Sequence, residues 1–421
     1  MPSVCFYFQV HQPFRVKNYS FFDIGQTSKY FDDKKNEEIL NKVAEKCYLK
    51  TNQKMLELIE RHQGRFRISY SISGTAIEQF EKYRPDVLQS FIDLANTGCV
   101  EFLSETYYHS LSFIHSKTEF KRQVEKHARM IKKYFRQSPT VFRNTELIYN
   151  NELAFFIEEM GYKGIICEGV DRLLGERTPN FLYKPAGNSN KIKVLLKNHL
   201  LSDDIAFRFS DKGWKEFPLT AEKYSTWLHS VAGSGETINL FMDYETFGEH
   251  QWESTGIFDF LDRLPAELLN HRDFDFKTPS EVIDSYQSRD VYDAHNFISW
   301  ADTERDLSAW LSNSMQQEAF RKIYSLENNV SLSKDPELTK MWELLQTSDH
   351  YYYMCTKFWN DGDVHKYFSP YDSPYDAYMY FMNAMSDLEC RLKRALENRP
   401  PSGHALENNI PEGQPMVFEK R

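Results

Sequence analysis

Four polar runs in this chain each follow a short β-branched or aromatic stretch. They are His11-Gln12-Pro13; Glu101 to Glu105 with Tyr107, Tyr108 and His109; Arg143-Asn144-Thr145-Glu146; and Asp243-Tyr244-Glu245 with Glu249 and His250. Carboxylates beside apolar strands cost several kcal/mol unless they are paired, so three strand ends bearing such groups, with His11 at a fourth, call for a shared reason. Glycosidic bond cleavage supplies one, because it needs two carboxyl groups, one ionised and one protonated. Glu146 and Asp243 lie on different strand candidates, so only folding can bring them together. A retaining enzyme would hold such a pair ~5–5.5 Å apart and an inverting one ~6.5–9.5 Å apart. Like charges such as Glu101 and Glu245 would raise the pKa of the acid, while Arg143 would keep the nucleophile ionised. For any one of these carboxylates the ordinary alternative is a salt bridge or a helix N-cap.

The elements that must position these groups alternate. Strand candidates fall at 3–9, 66–72, 100–103, 141–143, 164–167, 192–196 and 238–243, and amphipathic stretches with three- and four-residue apolar spacing at 36–61, 76–95 and 117–135. Such alternation predicts βαβ units and a mainly parallel sheet, with ligands at the carboxyl ends of the strands. About seven strands fit either a barrel or an open doubly wound sheet. From about residue 302 the pattern turns helical, at 302–326, 335–357 and 374–398, which predicts a helical domain packed on the first. Residues 399–421, with four prolines and few large apolar side chains, read as a loosely held tail.

With 421 residues the chain exceeds one small core. Its 51 basic against 61 acidic residues give a formal charge of −10, which disfavours nucleic acid and anionic membrane as partners but not a neutral ligand. Aromatics at 15% offer flat platforms suited to sugar rings, although most such residues fill cores. Six scattered cysteines without paired spacing, and an opening Met-Pro-Ser-Val that lacks the pattern of a signal peptide, point to a reducing cytoplasm. No apolar run approaches the ~20 residues needed to span a bilayer.

The segments Val10-His11-Gln12-Pro13, Gly98 to Leu103, FRNTELIYNN from Phe142 and FMDYETFGEHQW from Phe241 resemble four ordered motifs of glycoside hydrolase family 57, most closely its α-amylase branch. A fifth similarity begins near Thr278-Pro279-Ser280-Glu281 and continues through Ile298 to Asp302. The resemblance implies an incomplete (β/α)7 TIM-like barrel over residues 1–300 and a C-terminal helical domain over 301–398 that contributes to the cleft. It implies retaining cleavage of α-1,4-glucosidic bonds in glycogen, starch or maltodextrin, with no metal or other cofactor. Glu146 matches the nucleophile and Asp243 the general acid/base. His11, Glu101 and Glu245 match positions lining the donor-sugar subsite, and His109 joins the substrate-binding candidates. Trp252 and Trp300 are candidate stacking platforms, and Asp302 a candidate hydroxyl ligand.

Three rivals are kept. A metal-dependent hydrolase would use histidines such as His109, His115, His199 and His250, but no HxxxH or HExxH pair accompanies them. A non-catalytic α-glucan-binding protein would use the aromatics yet has no need of the Glu146/Asp243 pair. A 4-α-glucanotransferase would share the first half-reaction and differ only in the acceptor.

Overall fold

The computed structural model describes residues 2–187, 191–357 and 367–398. Among the described residues ten strands form: β1 Ser3–Val10, β2 Ile68–Ile72, β3 Val100–Phe102, β4 Val141–Arg143, β5 Gly164–Glu168, β6 Leu182–Pro185, β7 Lys193–Lys197, β8 Thr237–Asp243, β9 Asp275–Phe276 and β10 Ser288–Tyr292. Seven match the expected runs to within two residues. The short strands β6, β9 and β10 were not expected.

The first sheet runs β3-β2-β1-β8, all parallel, with β9 also beside β1. The second runs β10-β6-β7-β5-β4 and is parallel except between β6 and β7. Both edges of the first sheet are tied to the second. The Ser104 amide donates to the Val141 carbonyl at 3.1 Å, and the Arg143 amide to the Ser104 carbonyl at 2.8 Å. On the far side the Asn198 amide donates to the Asn239 carbonyl at 2.9 Å, and Asn239 Nδ2 to the Leu196 carbonyl at 2.8 Å. The carboxyl ends of β1, β2, β3, β4, β5, β7 and β8 therefore point one way around a common interior.

Every residue of β1 is buried, as expected for a strand covered on both faces. One face, including Phe6 and Phe8, packs under the outer helices, while Cys5 and Tyr7 face inward with Leu103, Val141, Ile166, Leu195 and Phe241. The opposite end of that interior is stoppered by Val282 and Ile283 of the helix Pro279–Ser285. Gly164 permits this approach, since a Cβ there would stand 2.1 Å from Ile283 Cδ1.

Lys117–Phe135 forms one helix at the expected bounds, with Ser116 accepting the Glu119 amide as N-cap. The expected helix at 76–95 is two, Gly74–Tyr83 and Pro85–Asn96, because Pro85 has no amide to continue the ladder. The stretch expected at 36–61 is Asp33–Val43 and Leu49–Arg61 joined by a π-helical turn, Ala44–Tyr48. Beyond residue 301 come the helices Ser308–Leu311, Ser314–Ser325, Glu327–Ser333, Pro336–Leu344, Asp349–Tyr352 and Pro374–Glu397, which share a core containing Trp310 and Trp342. The helices expected at 302–326 and 335–357 are thus shorter and broken. The tail expectation for 399–421 lies outside the described residues. Among the described residues no helix is long and apolar enough to cross a membrane.

Tyr19 and Tyr30, on the loop after β1, belong to this helical core, and Tyr30 donates to Asp387 at 2.7 Å. The Ser348 amide donates to the His109 carbonyl at 2.9 Å, which seats the short helix Asp349–Tyr352 against the segment after β3.

Candidate active site

Glu146 sits in the tight turn Thr145–Leu147 immediately after β4. Glu146 and Leu147 both have left-handed backbone, with φ of 58° and 51°, as does His109 at 51°. For side chains other than glycine this costs about 1–2 kcal/mol per residue, so the surroundings must enforce it. The Leu147 amide donates to the Asn144 carbonyl, Asn144 Nδ2 to the Ile148 carbonyl at 3.1 Å, and the Thr145 and Thr106 hydroxyls meet at 2.8 Å. The turn carries the Glu146 carboxylate out of the strand and leaves it 21% exposed.

Both carboxylate oxygens are held. His109 Nε2 lies 3.2 Å from Oε1, and Trp300 Nε1 donates to Oε2 at 2.7 Å. The other ring nitrogen of His109 lies 2.9 Å from Glu105 Oε2, and Gln9 Nε2 donates to Glu105 Oε1 at 3.1 Å. Burial pushes the His109 imidazole toward neutrality, but its bonds to Glu105 and Glu146 overturn this and raise its pKa to about 9. It is therefore an imidazolium at neutral pH, donating to a carboxylate from each nitrogen. Burial likewise pushes Glu105 up, and the bond and charge of His109 with the charge of Arg143 bring it down to about 2. Glu146 follows the same pattern: burial raises it, and His109, Arg143 and Trp300 hold it below the usual carboxylate value.

Asp243 ends β8, in register with Gln9, and is partly exposed. Burial and then the charge of Glu146 raise its pKa to about 6, against the opposing charges of Arg143, His109 and Lys197. Two carboxyl groups from different strands thus feel each other and are pushed apart in pKa, the Glu146 side toward the anion and the Asp243 side toward the acid. Next to Asp243, Glu245 is raised to about 8 by burial and by the charge of Asp243. Its carboxyl meets the hydroxyl of Tyr48, which also accepts from Gln12 Nε2 at 3.1 Å. Tyr48 is the last residue of the π-helical turn, a feature that often marks functional sites.

His11 stacks on His109 with ring centroids 3.9 Å apart. Its Nε2 meets Asp349 Oδ2 at 2.8 Å and its Nδ1 the Ser73 hydroxyl at 2.7 Å. Burial, then the cationic His109, lower the His11 pKa. Burial raises Asp349, but the charge and bond of His11 hold its carboxylate well below the ordinary range. Among the described residues no group of three or more His, Cys, Asp or Glu side chains is arranged to hold a metal ion.

The structure therefore brings Glu146, Asp243, His11, His109, Glu245 and Trp300 of the expected residues together at one end of the enclosed interior. Three others lie differently. Glu101 is on β3, but its carboxylate accepts the amide and hydroxyl of Ser280, both at 2.9 Å, in the first turn of the stoppering helix. The interior-facing Leu103 follows it on the way to Glu105, so Glu101 belongs to the closed end; the like charge acting on Asp243 is Glu146. Trp252 is 61% exposed at the start of the turn Glu253–Thr255. Asp302 has a side chain only 5% exposed and pairs with Lys357 at 3.3 Å. Trp300 works through its ring N–H on Glu146, with the Arg143 and Lys197 cations 5.2 and 5.6 Å from its ring centroid.

Sequence reasoning did not pick Glu105, Tyr48 or Asp349 as site residues. Glu105 had a usable signal, lying two residues beyond inward-facing Leu103 and four before His109. Tyr48 and Asp349 reach the site from distant helical segments, and nothing local marks them.

A sequence model of Glycosyl hydrolase family 57 matches residues 5–295 of this chain. A protein of Methanocaldococcus jannaschii, named provisionally as an alpha-amylase, is 46% identical over 406 residues, covering 93% of this chain and 85% of its own length. A branching enzyme of the same family from Pyrococcus horikoshii superposes with a TM-score of 0.70 at 16% identity, over 94% of this chain and 91% of that one. A 4-alpha-glucanotransferase from Thermococcus litoralis gives 0.60 at 16% identity, over 83% of this chain and 56% of that one. The family match spans the strands that present Glu105, Glu146 and Asp243, and the chain belongs to glycosyl hydrolase family 57.

Proposed function

We propose that this glycoside hydrolase cleaves α-1,4-glucosidic bonds of glycogen, starch or maltodextrin by a retaining double displacement. Glu146 is the nucleophile and Asp243 the general acid/base. The observation that carries this reading is that the two carboxyl groups are pushed in opposite directions: His109 and Trp300 bond the Glu146 carboxylate and favour its anion, while burial and the charge of Glu146 raise Asp243 to about 6. Protonated Asp243 donates to the glycosidic oxygen while Glu146 attacks the anomeric carbon. Ionised Asp243 then takes a proton from the water that displaces Glu146. His11, Asp349 and Glu245 would meet sugar hydroxyls beside the reacting carbon, with buried Tyr48 holding the Glu245 carboxyl. In this reading β1, β2, β3, β4, β5, β7 and β8 form an incomplete (β/α)7 barrel over residues 1–300, and residues 301–398 form a helical domain whose Asp349 completes the cleft.

Incubation with maltoheptaose, with products separated by chromatography and their first-formed anomer read by NMR, tests the reading. Shorter maltooligosaccharides with the α-anomer first are expected. A β-anomer would overturn retention, and chains longer than the substrate would assign glucan transfer instead of hydrolysis.

A further inference from the structure

Arg143 ends β4, three residues before Glu146, and is among the largest fully buried side chains of the protein. None of its guanidinium nitrogens has a hydrogen-bond partner among the described residues. Its nearest carboxylate oxygen is Glu105 Oε2, at 3.7 Å, which is an ion pair without a hydrogen bond. It also lies 5.2 Å from the ring centroid of Trp300, the residue that grips Glu146. A buried cation left without hydrogen bonds is costly to the fold, and an apolar side chain of similar volume would fill the slot at lower cost. Folding alone therefore gives no reason for an arginine here.

The titratable groups that feel Arg143 come from four strands or the turns after them: Tyr7 is on β1, Glu105 and His109 follow β3, Glu146 follows β4 and Asp243 ends β8. Lys197 of β7 lies over the same Trp300 ring as Arg143. His109 is bonded to Glu146 and so serves that carboxylate directly. Arg143 is bonded to neither catalytic group, yet its charge draws the pKa of both Glu146 and Asp243 downward.

In the double displacement the negative charge moves. When a Glu146 oxygen bonds to the anomeric carbon, the glycosidic bond breaks, its electron pair goes to the glycosidic oxygen, and that oxygen takes the Asp243 proton. Glu146 ends as a neutral ester and Asp243 as an anion. In the second step water gives a proton to Asp243, its oxygen bonds to the anomeric carbon, and the ester's electron pair returns to Glu146. We propose that Arg143 is a positioning residue for charge, a fixed buried cation that offsets the negative charge on whichever of the two carboxylates carries it. This rests on the retaining glycosidase reading above.

The test is the pH dependence of kcat and KM on maltoheptaose for wild type, Arg143→Met, Arg143→Gln and Arg143→Lys, with folding checked by circular dichroism. Both neutral variants are expected to lose about 100-fold in kcat, the scale of a lost electrostatic contribution to a transition state. Their KM should stay within about threefold, since Arg143 does not touch substrate, and both limbs of the kcat/KM profile should move up by about one pH unit. Arg143→Lys should keep the limbs near their wild-type positions and recover at least about tenfold of the lost kcat. Unmoved limbs in a folded neutral variant, or a rise in KM at unchanged kcat, overturn the proposal. So does failure of both neutral variants to fold while the lysine variant behaves as wild type, because the charge would then serve structure alone. Glu146→Gln assayed in parallel separates the two claims: a few percent of turnover or more there overturns the double displacement through Glu146, whereas its loss alongside unmoved Arg143→Met limbs overturns only the role of Arg143.

Discussion

Glu101 and Glu105 belong to the same segment, four residues apart, and meet opposite fates at the two ends of one enclosed interior. Glu101 faces the stoppered end, where burial raises its pKa and the amide and hydroxyl of Ser280 oppose the rise. It caps the first turn of the helix Pro279–Ser285. Glu105 faces the open end, where His109 and Arg143 turn burial's upward push into a pKa of about 2. In the proposed mechanism the inward face of this one segment thus supplies a structural carboxylate and a functional one, and depth along it decides which is which. A carboxylate that meets backbone donors serves the fold. One that meets a cation linked to a second carboxylate transmits its charge to the reaction.

The harshest way to break the contrast lies at the far end of the Glu105–His109–Glu146 chain. Glu146→Gln keeps the size and can still accept from Trp300, but it removes the nucleophile. Turnover of maltoheptaose should fall by at least about 10³-fold, with binding of the glucan intact by calorimetry. A purified variant retaining a few percent of activity would sink the assignment. Glu105→Gln comes next, since it leaves His109 with one carboxylate partner instead of two. The imidazole should lose its fixed charge and orientation, and kcat should fall about 10²-fold with little change in KM.

The chain also predicts two pH signatures. In kcat/KM the required forms are ionised Glu146 and protonated Asp243, so activity should decline as pH rises through about 6 and, on the acid side, below the ordinary glutamate range. A profile flat to pH 8 would contradict the role given to Asp243. In stability, His109 has a folded pKa of about 9 against an ordinary 6.5, so its contribution is complete below 6.5 and is lost as pH rises through 9. Glu105 works in the other direction, contributing above 4.5 and losing its contribution as pH falls toward 2. Melting temperatures of wild type and His109→Gln should therefore differ by several degrees at pH 6 and converge near pH 9.5.

Much of this arrangement was legible in the chain because periodicity reports faces well. The helix Lys117–Phe135 and the seven expected strands follow from apolar spacing of three to four or from dense β-branched and aromatic runs. β6 and β10 escaped because both are short and mixed in polarity, with exposed Lys184, Arg289 and Asp290. Alternation also shows that Glu101, Leu103 and Glu105 share one face, but it carries no information about depth, and the family resemblance that implies a donor-subsite role for Glu101 does not report depth either. Tyr48 and Asp349 show the other gap. Tyr48 depends on a π-helical turn that no local pattern announces, and Asp349 depends on the docking of a four-residue helix against the His109 segment.

The mildest variant is also the one that isolates depth from identity. Glu101→Gln preserves an oxygen acceptor for the Ser280 amide and removes only the carboxyl's capacity for charge. Two neutral-acceptor hydrogen bonds in place of charge-assisted ones should cost about 1 kcal/mol, seen as a small fall in the denaturant midpoint at unchanged slope. Because Leu103, Cys5 and Tyr7 lie in the interior between this end and the reacting groups, kcat and KM should stay within about twofold of wild type. Glu105→Gln, the same change four residues along, should do the reverse. If Glu101→Gln instead raises KM for maltoheptaose by tenfold or more, the two ends of the interior are not independent, and Glu101 belongs with the sugar-binding groups after all.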